Sequence, residues 1–233
     1  RARKLTLHAS MQDTYNHWDF WVYPEKLPGT GSGIHITDTL DAVADSVLRI
    51  GGKVLLLAAG KVENGRDVVQ YFTPVFWNTS WFKMRPPHTT GALIRNDHPV
   101  FDNFPTTFHS DMQWWEILNR QQVMHLENFP PDFRPLVQPI DTWFISRRLG
   151  LLWEAASGGG KLMVCSADLM SGPEQRPAAR QLLFSILDYM ERETFQPEQQ
   201  VSLEVVKELF EKKERQVIHL YTRNSPDELK PTQ

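Results

Sequence analysis

The chain has 233 residues, of which 41% are hydrophobic and 23% charged, with a formal net charge of -3. This balance predicts one globular domain or one and a half, and the lack of a Lys/Arg cluster argues against a nucleic-acid surface. Cys165 is the only cysteine, which excludes an intrachain disulfide and a thiolate-rich metal site, and no apolar run is long enough to span a membrane.

Residues 1–24 have the pattern of two β-strands with a turn between Met11 and Tyr15. In the second strand Trp18, Phe20 and Val22 alternate with polar and aromatic residues that point the other way. Two strands are not stable alone, so we expect the terminal strands of a β-sandwich, or strands that lie against the following domain. Residues 25–33 are then a linker. Because the chain begins within a strand pattern, we expect it to be a piece of a longer protein.

The pattern changes after the linker to alternating strands and helices. Residues 33–37 predict a short strand, and Asp38 is placed to cap a helix that has Asp41 at its third position and ends at residues 51–52. Residues 53–60 form a continuous apolar run that is typical of a central parallel strand covered on both faces.

The second half of the chain predicts a similar succession. We expect strands at residues 141–146 and 161–168, a helix at residues 148–156, and a glycine turn at residues 158–160. Pro177 should begin a helix, Ser202 should cap another, and residues 216–222 should form an edge strand. The prediction is an open, mostly parallel α/β sheet over residues 34–222, with helices on both faces and a flexible tail at residues 223–233.

Residues 72–119 carry half of the eight tryptophans, interleaved with histidines and other polar residues. Such a segment predicts an ordered wall that either packs its rings into the core or presents them to a flat ligand such as a sugar. Asp168 joins the candidates because it follows a predicted central strand, at the end where α/β sheets place ligands. The candidate ligand-binding residues are Trp77, Asn78, Trp81, Arg85, His88, His109, Trp114, Trp115 and Asp168.

Other chemistry is disfavoured by its sequence context. Cys165 lacks the glycine-flanked turn that a nucleophile needs, so we expect a buried, unreactive thiol. The glycine runs precede strands instead of joining a strand to a helix, which argues against a nucleotide cofactor. No histidine or carboxylate spacing predicts a metal site, and Glu116, Glu127 and Glu154 form no recognisable glycosidase pair. We therefore assign no catalytic residue, metal or cofactor.

The chain resembles the C-terminal region of large β-galactosidase-like family 2 glycoside hydrolases from Bacteroidetes, often described as sugar-binding. The resemblance lies in PVFWNTSWFKMRPPHTTG, HPVFDNFPTTFHSDMQWWEIL and RLGLLWEAASGGGKLMVCSADL, while NHWDFWVYP is similar to the strand that closes their β-sandwich. It implies a flavodoxin-like fold of the class I glutamine amidotransferase-like or ThuA-like kind. The amidotransferase Gly-x-Cys-x-Gly motif has no match, and the catalytic barrel of these hydrolases lies outside the region of resemblance.

Three functions follow as hypotheses. The first is a non-catalytic accessory domain, structural or glycan-contacting, of a periplasmic or extracellular glycoside hydrolase from a Gram-negative bacterium that acts on polysaccharide or β-galactoside-type substrates. The second is an independent ThuA-like hydrolase or sugar-processing enzyme that uses His88, His109 and Asp168. The third is an oligomerisation module. The expected partners are the preceding domains of the parent hydrolase, with glycan or a second copy of the chain as open alternatives, and neither nucleic acid nor a membrane span.

Overall fold

A computed structural model describes residues 1–68, 70, 89–141 and 146–212. It begins with a β-hairpin in which β1 (Arg3–Met11) pairs antiparallel with β2 (Thr14–Val22). The turn is formed by residues 12–13, with Gln12 at a φ of 51°. The two strands predicted before the linker, with their turn between Met11 and Tyr15, are confirmed.

The rest of the described chain alternates between strands and helices. The strands are β3 (Ile34–Thr37), β4 (Lys53–Leu57), β5 (Thr89–Ile94), β6 (Met124–His125), β7 (Val137–Asp141), β8 (Leu149–Gly150), β9 (Leu152–Ser157) and β10 (Gly160–Cys165). The helices are α1 (Ala42–Arg49), α2 (Trp115–Leu118), α3 (Pro177–Glu191) and α4 (Leu203–Lys207), with short 3₁₀ helices at Pro99–Phe101, Met112–Trp114 and Glu208–Phe210. No helix in this described part of the chain is long and apolar enough to cross a membrane.

Six of these strands form an open mixed sheet in the order β3-β4-β10-β9-β7-β5. Only β3, β4 and β10 are parallel neighbours, whereas β10-β9, β9-β7 and β7-β5 are antiparallel pairs. The expectation of a mostly parallel sheet is therefore wrong for the described strands, although the α/β class and the central parallel strands are right.

The cause of this difference lies in the segment that was predicted as a helix at residues 148–156. It forms β8 and β9, and β9 folds back on β10 through Gly158 and Gly159. Both glycines have positive φ, 62° and 95°, as a two-residue type I′ hairpin turn requires. The glycine turn was predicted correctly, but it joins two antiparallel strands instead of ending a helix.

The helices lie on both faces of the sheet, as expected. Along β4, Leu55 and Leu57 pack in the core that contains α3, while Val54 and Leu56 pack in the core that contains α1 and α4. This alternation within one unbroken apolar run is what a strand covered on both faces requires. The second central strand, β10, is likewise buried along most of its length.

The helix ends show which local signals the chain uses. Asp41, not Asp38, caps α1, and its Oδ1 accepts a hydrogen bond from the Ala44 N–H at 2.9 Å. Pro177 begins α3 and Ser202 caps α4, both as predicted. The strand predicted at residues 216–222 and the tail at residues 223–233 lie outside the described residues.

Candidate functional site

The pair of adjacent tryptophans is positioned by a capped helical turn. Asp111 accepts a hydrogen bond from the Gln113 N–H and so begins the 3₁₀ helix Met112–Trp114, which continues directly into α2. Successive residues of such a turn point in different directions. Trp114 is fully buried, whereas Trp115 is 50% exposed. The two rings therefore have different roles.

Trp114 belongs to the core. Its Nε1–H donates to Thr106 Oγ1 at 2.8 Å, and its ring meets Phe104 and Phe101 edge-on at centroid distances of 5.2 and 6.3 Å. This arrangement satisfies the only polar atom of the indole and leaves no face open to a ligand. Of the two interpretations offered for the aromatic wall, core packing is the correct one for Trp114.

Trp115 lines a groove of about 320 Å³ between the hairpin and the α/β domain, which we call the hairpin groove. From the hairpin side it is lined by Asp19, Phe20, Trp21 and Tyr23. From the other side it is lined by Met112, Gln113, Trp115 and Glu116, with Pro177 and Ala178 of α3. The groove thus combines aromatic and apolar surface with three polar side chains.

Specific hydrogen bonds hold the hairpin against the α/β domain. Tyr23 Oη donates to Gln113 Oε1 at 2.8 Å, and Gln113 Nε2 donates in turn to the Pro105 carbonyl at 2.7 Å. Arg180 Nη2 of α3 donates to the Pro24 carbonyl at 2.8 Å. Burial raises the pKa of the Tyr23 hydroxyl, which keeps it protonated as a donor. The groove walls are therefore fixed relative to each other at this end.

The carboxylates of the groove are already partly engaged. Glu116 Oε1 accepts a hydrogen bond from the Ala179 N–H at 2.8 Å, in the first turn of α3. The hydrogen bond from Lys4, followed by that from Thr6, lowers the pKa of Asp19, and the Lys4 Nζ to Asp19 Oδ2 distance is 2.8 Å. No Lys, Arg or His is among the described residues that line the groove. The groove is consequently a polar but non-cationic surface.

Two further groups beside the groove are poorly solvated. Burial raises the pKa of the Asp111 carboxyl to about 6. Hydrogen bonds from Gln113 favour the charged form and oppose this rise, but burial has the larger effect. The Trp21 Nε1–H is buried and has no hydrogen-bond partner. An unpaired buried donor costs free energy unless a ligand or water completes it. A carboxyl with a raised pKa and an unpaired N–H donor therefore lie at the end of the molecule that carries the hairpin groove.

The end of the central strand β10 holds structural groups. Cys165 is 1% exposed and burial raises its pKa to about 12, as the prediction of a buried thiol requires. Asp168 Oδ1 accepts hydrogen bonds from the N–H groups of Met170 and Ser171 at 3.0 Å each, and its Oδ2 lies 3.3 Å from Arg176 Nη1. Partial burial opposes its ionisation, but these hydrogen bonds and Arg176 outweigh that effect and lower the pKa. Asp168 therefore caps a turn.

The remaining predicted site residues do not meet Trp115 in the described structure. His109 is exposed, and it forms an isolated antiparallel bridge with Leu93 away from the groove lining. Trp77, Asn78, Trp81, Arg85 and His88 lie outside the described residues. Within the described ranges, no group of three or more His, Cys, Asp or Glu side chains is placed to hold a metal ion.

The chain matches the family described as Domain of unknown function (DUF8487) over residues 35–211. It belongs to this family. No curated protein matches the chain.

The DUF8487 match begins in β3, so the hairpin lies before it. The hairpin groove therefore has one wall inside the DUF8487 region and the other wall on the preceding β-strand. The groove residues that sequence reasoning missed are chiefly Trp21 and Gln113. The position of Trp21 could be predicted from the sequence, because residues alternate along β2 and Trp21 lies on the face opposite Trp18, Phe20 and Val22. Gln113 could be found only from its contact with Tyr23, which is 90 positions away along the chain.

Proposed function

We propose that this chain is a non-catalytic accessory domain of a family 2 glycoside hydrolase, joined to the parent enzyme through its β-hairpin. The observation that carries the proposal is the uncovered apolar face of the hairpin. In the register of β1 and β2, Leu5 faces Phe20 and Leu7 faces Trp18, with Val22 at the end of the same face. Each of these side chains is between 46% and 55% exposed.

Such a face needs a covering layer. A two-stranded hairpin is marginally stable in water, and a sheet is stabilised when its apolar face packs on another layer. Covering the exposed halves of five large apolar side chains would contribute roughly 5 kcal/mol, at about 1.5–3 kcal/mol for each complete burial. The α/β domain contacts the other face and the end of β2, through Trp21 and Tyr23. Phe20 of the apolar face also borders the hairpin groove, but it is 51% exposed. A preceding β-sandwich would supply the missing layer.

The three candidate carboxylates support the non-catalytic part of the proposal. A glycosidase needs two carboxyl groups on opposite sides of one scissile bond. Glu116 caps the start of α3, whereas Glu154 accepts a hydrogen bond from the Tyr189 hydroxyl at 3.3 Å beneath the sheet. Glu127 is exposed after β6. Glu116 and Glu154 have different partners, and all three glutamates lie on different elements, so we expect the chain alone to hydrolyse no aryl glycoside.

The finer fold assignment is part of the same proposal. The parallel strands β3, β4 and β10, with α1 and α3 on opposite faces, fit the central part of a flavodoxin-like or class I glutamine amidotransferase-like fold. In this assignment the buried Cys165 at the end of β10 is a structural residue, and the fold is retained without a nucleophile. A periplasmic or extracellular location follows from the proposed parent enzyme.

The test compares one substitution on each face of the hairpin. Leu7→Lys places a charge on the apolar face, and Ser10→Lys places the same charge on the opposite face as a matched control; both positions are exposed in this chain. Each variant is made in the 233-residue chain and in a protein extended upstream by the native coding sequence. Hydrogen exchange of the hairpin amides and thermal unfolding are measured in both forms.

We expect Leu7→Lys to reduce hairpin protection and melting temperature in the extended protein only, while Ser10→Lys has little effect in either form. Equal behaviour of the two variants in the extended protein would contradict docking through this face. Analytical ultracentrifugation of the 233-residue chain separates the alternative of self-association, which would appear as a dimer that Leu7→Lys dissociates. Turnover of nitrophenyl glycosides by the isolated chain, lost on Glu116→Gln or Glu154→Gln, would contradict the non-catalytic role.

A further inference from the structure

We infer that the hairpin groove binds an uncharged pyranose ring of a glycan, with the indole of Trp115 as the stacking surface. This inference rests on the proposed function, because the parent hydrolase would bring the glycan to this surface. It adds a defined site on the accessory domain, made jointly by the hairpin and the DUF8487 region.

Trp115 combines an exposed ring with a firmly anchored backbone. The ring is half exposed, but the α2 helix that carries it is held by the buried side chains of Trp114, Ile117 and Leu118. A large aromatic surface held open on a fixed backbone is suited to stacking, because little conformational entropy is lost when a ligand is bound. The axial C–H bonds of a pyranose form an apolar face that matches such a ring.

Polar groups that can bind sugar hydroxyls surround this ring. Glu116 and Asp19 present carboxylate oxygens, which accept hydrogen bonds from sugar hydroxyls. Trp21 also lines the groove, and its buried Nε1–H has no hydrogen-bond partner, so a sugar oxygen would reach this donor only if the ring shifted on binding. A few placed polar groups beside apolar surface are typical of small-ligand sites, and a volume of about 320 Å³ falls within their usual range.

The charges around the groove favour an uncharged ligand. No Lys, Arg or His is among the described lining residues, and the neighbouring Lys4 is already paired with Asp19, so the groove offers no free counter-charge to a uronate or a sulfate group. A cation is also disfavoured, because Asp19 is already paired with Lys4 and Glu116 with the Ala179 N–H. Burial of a charged ligand without a free partner is costly. An uncharged sugar is the class that these groups accommodate best.

The experiment measures binding to the 233-residue chain by isothermal titration calorimetry. The ligands are cello-, xylo-, manno- and β-galacto-oligosaccharides, with an oligogalacturonate as the anionic control and choline as the cationic control. Trp115→Ala removes the stacking ring, and Phe108→Ala removes a still more exposed ring, 69% accessible, that is not part of the groove lining. Circular dichroism and thermal unfolding verify that both variants keep the fold.

We expect at least one neutral oligosaccharide to bind, and Trp115→Ala to weaken its binding about tenfold, which corresponds to about 1.4 kcal/mol, because the stacking surface is lost. Phe108→Ala should bind like the unmodified chain. The inference is overturned if no neutral oligosaccharide binds at millimolar concentration, if Trp115→Ala and Phe108→Ala have the same affinity, or if choline or the oligogalacturonate is the tighter ligand. Docking of the hairpin to the parent enzyme is measured separately with Leu7→Lys, so either proposal can fail while the other holds.

Discussion

Replacing Asp111 with asparagine should stabilise the folded chain at neutral pH and leave its stability almost unchanged in acid. Burial raises the pKa of this carboxyl from its ordinary 3.8 to about 6 in the folded state. Well below pH 3.8 the group is neutral in both the folded and the unfolded chain. As the pH rises, the unfolded chain ionises first, and the folded chain must then ionise a partly buried group. The cost is complete above the folded pKa, and asparagine avoids it.

The size of the gain follows from the difference between the two pKa values. About two pH units correspond to about 3 kcal/mol at 1.36 kcal/mol per unit. Because the Asp111 side chain is only partly buried, solvent screening reduces this, and we expect about 1 kcal/mol at pH 8. The cap of the following 3₁₀ helix should survive, since asparagine caps helices about as well as aspartate and its oxygen can accept the Gln113 N–H.

Urea denaturation of Asp111→Asn and of the unmodified chain, at about pH 4 and about pH 8, measures this effect as a difference in the free energy of unfolding. Asp97→Asn, at an exposed aspartate, is the matched control for loss of one negative charge. The gain in the free energy of unfolding from Asp111→Asn should be about 1 kcal/mol larger at pH 8 than at pH 4. A destabilised variant at pH 8, or a difference that does not change with pH, would refute burial as the cause.

Three further predictions concern the packing of the core and of one loop. Trp114→Ala should lower the free energy of unfolding by about 3–5 kcal/mol, because it empties a buried site; a urea-measured loss below about 1 kcal/mol would contradict the core assignment. Cys165 should react slowly with a small thiol reagent in the native chain and rapidly in denaturant, so fast native labelling would contradict its burial. Gly65→Ala should lower the melting temperature strongly, because Gly65 has a φ of 133° and an added Cβ would overlap the Val123 carbonyl. Gly29→Ala, with no atom within 4 Å of the added Cβ, should melt like the unmodified chain.

The elements predicted best from sequence are those whose signals are local. The apolar run at residues 53–60 ends at a glycine and becomes β4, and Pro177 begins α3 because its fixed φ suits the first helical position. The burial of Cys165 followed from its apolar strand. Each of these predictions depends on neighbours within a few positions, where steric and solvation preferences act directly.

The elements predicted wrongly depend on distant partners. Residues 152–157 contain good helix formers, yet pairing with β10 on one edge overrides their intrinsic preference. Asp41 caps α1 because the helix begins at Ala42, a boundary that the spacing of apolar residues leaves uncertain. The hairpin groove was beyond prediction for the same reason, since its two walls meet through the contact of Tyr23 with Gln113.

The order of strands in the sheet also constrains how the chain can be made. Strand β10 lies between β4 and β9, yet it is synthesised roughly a hundred residues after β4. Until β10 leaves the ribosome, β4 has one neighbour among the described strands, β3, and its other edge is bare along the apolar sequence VLLL. A bare apolar edge of this kind is a template for wrong strand pairing. Nascent chains truncated before Gly160 should therefore bind a chaperone that holds extended apolar segments, whereas the complete 233-residue chain, in which β10, α3 and α4 are present, should not.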